Sequence, residues 1–267
     1  MAILAVSREY GSGGRDVGRM VAARLGYDYV DKERLFQDLE HSGPRWGKMA
    51  RELDEVCPTL WERHDWQYRG YLALMESLIL DYAARDRVVI IGRGAPLLLY
   101  EVPFCLKVRL VAPLEVRVER IMLRESLDRE AAMDLIQRVD YDRACYFKAN
   151  YHTDWDAESL YDLTLNTGSL TYQQAADLLV EALAEKDALA TPEARAHLAD
   201  LALAYRLRAR VATDPRVMVP TLSVDLENGH LVVSGIIHSP KEQKILQEII
   251  REVCGTRPVR FAWQRRA

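Results

Sequence analysis

A parallel β-sheet covered by helices, followed by a smaller α+β module, is the architecture this sequence predicts. Three observations point there. Short apolar runs alternate with helical-period segments from the N-terminus to about Leu183. A glycine-rich turn separates the first apolar run from the first helix. A charged, alanine-rich connector with Pro192 follows, spanning 185–193, and beyond it the pattern changes. We therefore expect two domains, residues 1–187 and 193–267.

The elements follow in chain order. Ile3-Leu4-Ala5-Val6 reads as a buried strand, and Val17, Met20, Val21 and Leu25 recur at helical spacing up to Gly26. Residues 27–31 are short and β-like. The polar, mixed segment 32–66 reads as an insertion rather than as core. Leu72, Met75, Leu78, Ile79 and Tyr82 mark a helix over 67–85, and Val88-Val89-Ile90-Ile91 has the continuous apolar character of a strand buried on both faces. The next strand is 106–111, followed by a helix opened by Pro113. Another helical stretch starts at Ser126 and runs through Ile136 into Arg138 and Arg143. Residues 161–166 form the last strand and 172–183 the last helix of the first domain. The second domain reads as a helix over 193–213, strands at 223–226 and 231–235 joined by an Asn228-Gly229 hairpin, a helix over 241–253 and a short strand at 259–261.

The turn after the first strand carries the strongest chemical signal. Ser7-Arg8-Glu9-Tyr10-Gly11-Ser12-Gly13-Gly14-Arg15 lies between a strand and a helix, where backbone N–H groups can converge on an anion at the positive helix end. The pattern departs from G-x-x-x-x-G-K-[ST], because no lysine and no hydroxyl residue follow the last glycine. In one register Gly14 and Arg15 take those places; in the other Arg15 supplies the cation and Asp16 could face Mg²⁺. Two readings compete with a phosphate loop. One is a dinucleotide-binding turn with Asp31 as the ribose acid, although Asp16 stands where a third glycine belongs. The other is a glycine turn with no ligand.

Composition is that of a soluble globular protein, with 49% hydrophobic and 28% charged residues in 267. The first apolar run is short and lacks a preceding basic region, so we expect neither a signal peptide nor a membrane span and place the chain in the cytoplasm. Cys57, Cys105, Cys145 and Cys254 have no metal-ligand spacing and read as reduced thiols. The net charge of −4 conceals an uneven distribution, with 12 Lys/Arg against 8 Asp/Glu from Ala188 onward. That modest excess argues against nucleic acid as a partner.

Phosphoryl transfer needs cations around the transferring group, so arginines should cluster. Arg117, Arg120 and Arg124 share one helix face, and Arg138 and Arg143 follow. Arg93, within Gly92-Arg93-Gly94 directly after a buried strand, is placed at the sheet edge near the glycine turn. Asp31, after the second short strand, could orient a substrate hydroxyl.

In this order the motifs S-R-E-Y-G-S-G-G-R, Y-D-Y-V-D-K-E, I-G-R-G-A, V-A-P-L-E-V-R-V-E-R-I, D-Y-D-R-A-C-Y-F-K and Y-D-L-T-L-N-T resemble the cytidylate kinase-like family over about 1–183. The resemblance implies a three-layer P-loop nucleoside-monophosphate kinase fold and transfer of the ATP γ-phosphoryl group to CMP or dCMP, with Mg²⁺. It puts ATP phosphates on Arg8, Gly11, Ser12, Gly13, Gly14, Arg15 and Asp16, and the monophosphate near Asp31, Arg93 and Gly94. Candidate catalytic residues are Arg15, Arg120, Arg138 and Arg143, with a mobile lid around 126–143. Two other readings stay open: a nucleotide-binding sensor without turnover, and a kinase for another small phosphate acceptor. Residues 199–263 resemble a BON domain, with Val217, Val224, Val232-Val233-Ser234-Gly235 and Val253-Cys254-Gly255 as the matching positions. This implies self-association, regulation or peripheral lipid contact.

Overall fold

A computed structural model describes residues 1–219, 221–227 and 230–265. The chain divides into two compact units, one formed by 1–59 with 85–191, the other by 60–84 with 192–267. The boundary read from composition is thus crossed by an excursion: 60–84 belongs with the C-terminal unit. The physical reason is that its long helix packs along the helix that opens the tail.

The first unit is built on five parallel strands: β1 (Ile3–Arg8), β2 (Asp28–Val30), β3 (Val88–Ile91), β4 (Cys105–Val111) and β5 (Leu163–Asn166), in the order β2-β3-β1-β4-β5. The apolar runs read as buried strands are β1 and β3; β4 is buried along most of its length although Lys107 and Arg109 interrupt it, and edge strands β2 and β5 are partly exposed. Helix α1 (Gly14–Leu25) carries Val17 and Val21 onto Leu4, Val6, Val89, Ile91, Val108 and Leu110. It stops at Gly26, whose φ of 63° favours glycine.

The polar stretch after β2 folds as α2 (Lys32–His41) and α3 (Pro44–Glu52). It is not a loose insertion, since Leu35, Leu39, Trp46 and Ala50 are buried there. In the second unit, α4 (Leu60–His64) leads into α5 (Trp66–Ala83), whose first turn is capped by Asp65. Back in the first unit, a short α6 (Ala95–Leu98) follows β3, and α7 (Leu114–Glu125) follows β4. Ser126 ends α7 in a left-handed conformation instead of starting the next helix; Asp128 caps α8 (Arg129–Tyr151) by accepting from the Ala131 amide. A capping box of Thr171 and Gln174 starts α9 (Tyr172–Asp187), which joins α1 on the same sheet face.

The second unit continues with α10 (Pro192–Thr213), β6 (Ser223–Glu227), β7 (His230–Ile237), α11 (Pro240–Cys254) and β8 (Val259–Arg265). Strand β7 pairs antiparallel with β6 and parallel with β8. Leu231, Val233, Leu246, Ile249 and Leu207 form its core. The Asn228-Gly229 turn lies outside the described residues. Among the described residues no helix is long and apolar enough to cross a membrane.

Candidate functional site

The parallel sheet directs β1 and β3, its two adjacent central strands, to end side by side. Arg8, the last residue of β1, and Arg93, two residues past β3, therefore emerge next to each other, and both are almost fully buried. Arg143 reaches them from α8 and donates through Nη1 to the Arg8 carbonyl at 3.0 Å. Three guanidinium groups so close need a counter-charge, and Glu55, in the turn after α3, supplies it. Its two carboxylate oxygens accept from Nη1 and Nη2 of Arg8 at 3.2 Å each, from Arg143 Nε at 3.1 Å and from the Arg93 backbone amide at 2.8 Å. Arg93 Nη1 adds an ion pair at 3.2 Å, and Arg93 Nη2 bonds Asp54.

Burial alone would raise the Glu55 carboxyl, but the attraction of Arg8, Arg93 and Arg143 overrides it and holds the group well below the usual carboxylate range. Burial, reinforced by the charge on Arg8, lowers Arg143 to about 10. Glu55 and Arg143 are thus both charged at neutral pH. Gly92 is required beneath them: at φ 78°, a Cβ there would overlap the Arg8 guanidinium.

The glycine turn lies beside this cluster, with Gly11 and Gly13 at φ near +80° (84° and 81°). Ser12 is fully buried and ties the turn together by donating from Oγ to the Glu9 carbonyl at 2.8 Å. On one side the turn's carbonyls are held: Gly11 O by Arg120 Nη1 at 3.3 Å and Ser12 O by Thr167 Oγ1 at 2.8 Å. Arg120 also bonds Thr167 and stacks on Tyr172, whose ring packs against Gly13. Because peptides are trans, binding the Ser12 carbonyl on that side turns the Gly13 N–H to the other. The N–H groups of Gly14, Arg15 and Asp16 open the helix, and among the described residues none of them, nor that of Gly13, meets an acceptor. The amide of Tyr10 is spent on Asp140 at 2.8 Å, and Asp140 in turn pairs with Arg117 at 2.5 Å.

Not every expected residue joins the site. Arg15 pairs with Glu33 at 2.9 Å, with its side chain 40% exposed, and so turns away from the arginine cluster. Arg138 is exposed on α8. Asp31 caps α2 by accepting from the Arg34 amide at 3.3 Å and faces Arg19 at 3.5 Å. Gly94, at φ 75°, caps α6 beneath the Tyr151 ring. Asp16 is exposed in the first turn of α1. The cysteines also depart from expectation: Cys57 and Cys145 are joined as a disulfide with Cα atoms 5.0 Å apart, because the Glu55 turn lies against α8. Cys105 and Cys254 are free and buried.

The Cytidylate kinase-like family matches residues 3–169. The chain belongs to that family.

The family region takes in the glycine turn, Glu55 and all three arginines of the cluster. The cytidylate kinase of Natronomonas pharaonis is 30% identical over 173 residues, spanning 63% of this chain and 82% of that protein. A uronate isomerase of Corynebacterium glutamicum is 40% identical over 108 residues, which are 40% of this chain but only 21% of that protein. The crystal structure of an uncharacterized protein from Eubacterium ventriosum aligns with a TM-score of 0.56 at 20% identity, covering 69% of this chain and 99% of that one, which shows the shared fold.

Membership of the Cytidylate kinase-like family supports a phosphotransferase, and in this chain the arginine cluster lies at the ends of β1 and β3 beside the amides of the glycine turn. Such a family implies ATP and usually Mg²⁺, and the open amides of the turn suit polyphosphate oxygens. No cluster of three His, Cys, Asp or Glu able to hold a metal occurs among the described residues. Mg²⁺ at nucleotide sites is commonly held by nucleotide phosphates and water with only one or two carboxylates, so such a site does not require a cluster of protein ligands. The family motifs took in Arg93, Arg143 and Asp140 but not Glu55 or Asp54. Nothing in their spacing marks them; only the convergence of α3, α8 and the sheet does.

Proposed function

We propose that the chain transfers the γ-phosphoryl group of ATP to a nucleoside monophosphate, with CMP or dCMP first in order. The observation that carries this reading is the convergence of Arg8, Arg93 and Arg143 beside a helix N-terminus whose first four amides meet no acceptor among the described residues. The turn's amides would hold the β- and γ-phosphates, and the arginine group would hold the acceptor's phosphate and neutralise charge on the transferring group. Arg120, bound to Gly11 and Thr167, would keep the turn rigid, while Arg15 would have to swing from Glu33 to reach ATP. A coupled ADP-release assay across a panel of monophosphates tests the proposal. Turnover on CMP or dCMP above the other acceptors is the expected result; nucleotide binding with no turnover on any acceptor rejects it.

The sensor reading is favoured by one observation: the cation offered in place of the P-loop lysine, Arg15, points to Glu33. For the second unit we retain the BON-like reading and a role in self-association, regulation or peripheral lipid contact. The small sheet of β6, β7 and β8 with α11 at its side supports it.

A further inference from the structure

We propose that Cys57 and Cys145 form a redox latch that keeps the Glu55 carboxylate in the seat of a phosphate monoester, and that reduction of the disulfide vacates the seat. The inference deepens the reading above, since it takes the Arg8–Arg93–Arg143 group as the acceptor phosphate's binding place.

Glu55 already has the contacts such a phosphate would make. It is an anion gripped by two arms of Arg8, by Arg143 Nε and by the Arg93 amide and Nη1. It carries one negative charge against three guanidinium groups. Asp54 contributes to Arg93 from a partly exposed position, and Asp140 stands 3.8 Å from Arg143. A phosphate dianion with three acceptor oxygens fits this fork of donors better than a carboxylate does. Glu55 is therefore a competitor for the seat.

The disulfide sits where it controls that competition. Cys57 lies two residues after Glu55 and Cys145 two residues after Arg143, so the cross-link fastens both ends of the Glu55–Arg143 ion pair. Apart from the disulfide, the turn is held by ion pairs: those of Glu55, and those of Asp54 with Arg93 and with Lys32 at 3.0 Å. Residues 53–59 form no helix or strand, and Val56 is 40% exposed. Glu55 itself has φ 50° and Arg93 φ 58°, left-handed values that cost a non-glycine residue free energy and persist only where contacts enforce them. Once the cross-link opens, the turn can leave.

The chemistry balances with an ordinary dithiol. Its thiolate attacks one sulfur, a mixed disulfide forms, and the second thiolate displaces the remaining protein thiol. The S–S bond of the protein is thereby reduced to two thiols by two electrons and two protons, and the reagent leaves as its own disulfide. A disulfide oxidant of the glutathione class reverses the exchange and is released as two thiols. Cys57 and Cys145 are both half-buried and within reach of such reagents. Cys105 is fully buried, with its thiol pushed up to about 12 by burial, and does not compete.

The test uses the full chain in two forms, one oxidised with glutathione disulfide and one reduced with dithiothreitol, the cross-link being verified by mass spectrometry. Calorimetry then measures binding of inorganic phosphate and of CMP. Reduction should tighten both by about tenfold or more, as expected when an internal ligand occupies the competent site most of the time. Cys57→Ser and Cys145→Ser should each bind as the reduced protein does, with no response to dithiothreitol. Equal affinities in the two redox states, or failure of the cross-link to form on oxidation, overturns the latch. Redox-dependent phosphate binding without turnover on any monophosphate keeps the latch and rejects the kinase reading. Turnover on CMP that is indifferent to redox state does the reverse.

Discussion

Glu55 holds Arg8 by two parallel bonds of 3.2 Å, and neither side chain is more than a tenth exposed. The pair joins the end of the central strand to a turn 47 residues away and fixes the geometry of the arginine cluster. Glu55→Gln removes the charge that balances three buried guanidinium groups. Breaking a buried pair from one side costs about 3–5 kcal/mol, and the loss should appear as a lower midpoint in urea. Added inorganic phosphate should restore more stability to the variant than to the parent, because it binds only the folded state. A variant that phosphate fails to rescue would show that the cluster does not accept oxyanions.

The same carboxylate sets a pH window. Its folded value lies well below its unfolded one near 4.3, so its contribution to stability is complete above that pH and is lost as pH falls through the folded value. The stability gap between parent and Glu55→Gln should be flat from about pH 5 to 8 and should narrow below about pH 4. A gap that changes between pH 6 and 8 would mean that another group titrates within the cluster.

Arg15 separates two readings of the glycine turn. Its pair with Glu33 is exposed on both sides and worth at most about 1 kcal/mol, so Arg15→Ala should leave thermal stability nearly unchanged. If Arg15 swings to the triphosphate, the variant should bind ATP about tenfold or more weakly, since hydrogen bonds between charged groups contribute about 1.5–3 kcal/mol. Unchanged ATP affinity in calorimetry removes Arg15 from the site and leaves the amides of the turn to hold the nucleotide.

How far the sequence can be read depends on whether a feature is local. The runs that became β1 and β3 are legible because strands buried on both faces are largely apolar along their length. Gly11 and Gly13 are legible because the turn uses positive φ. Glu55 is not, since a glutamate amid Glu52, Asp54 and polar neighbours looks solvated until three arginines arrive from 47, 38 and 88 residues away. The Cys57–Cys145 pairing likewise spans 88 residues with no spacing signal. The helix over 67–85 is periodic in sequence, but its partner, α10, lies more than a hundred residues on, so its assignment to the second unit is written only in the packing.

That packing changes what truncation should do. Ending the chain after Asp187 removes α10 and leaves α5 without the helix it packs along, so part of the buried apolar surface of α5 loses its cover. Exposed apolar surface of that kind promotes aggregation. The truncated chain 1–187 should therefore be poorly soluble or bind a hydrophobic dye strongly, whereas a chain that also replaces 60–84 with a Gly/Ser linker should be soluble. Phosphate binding by the soluble form would place the whole arginine seat in the first unit. A soluble, dye-silent 1–187 would show instead that α5 does not depend on α10 for cover.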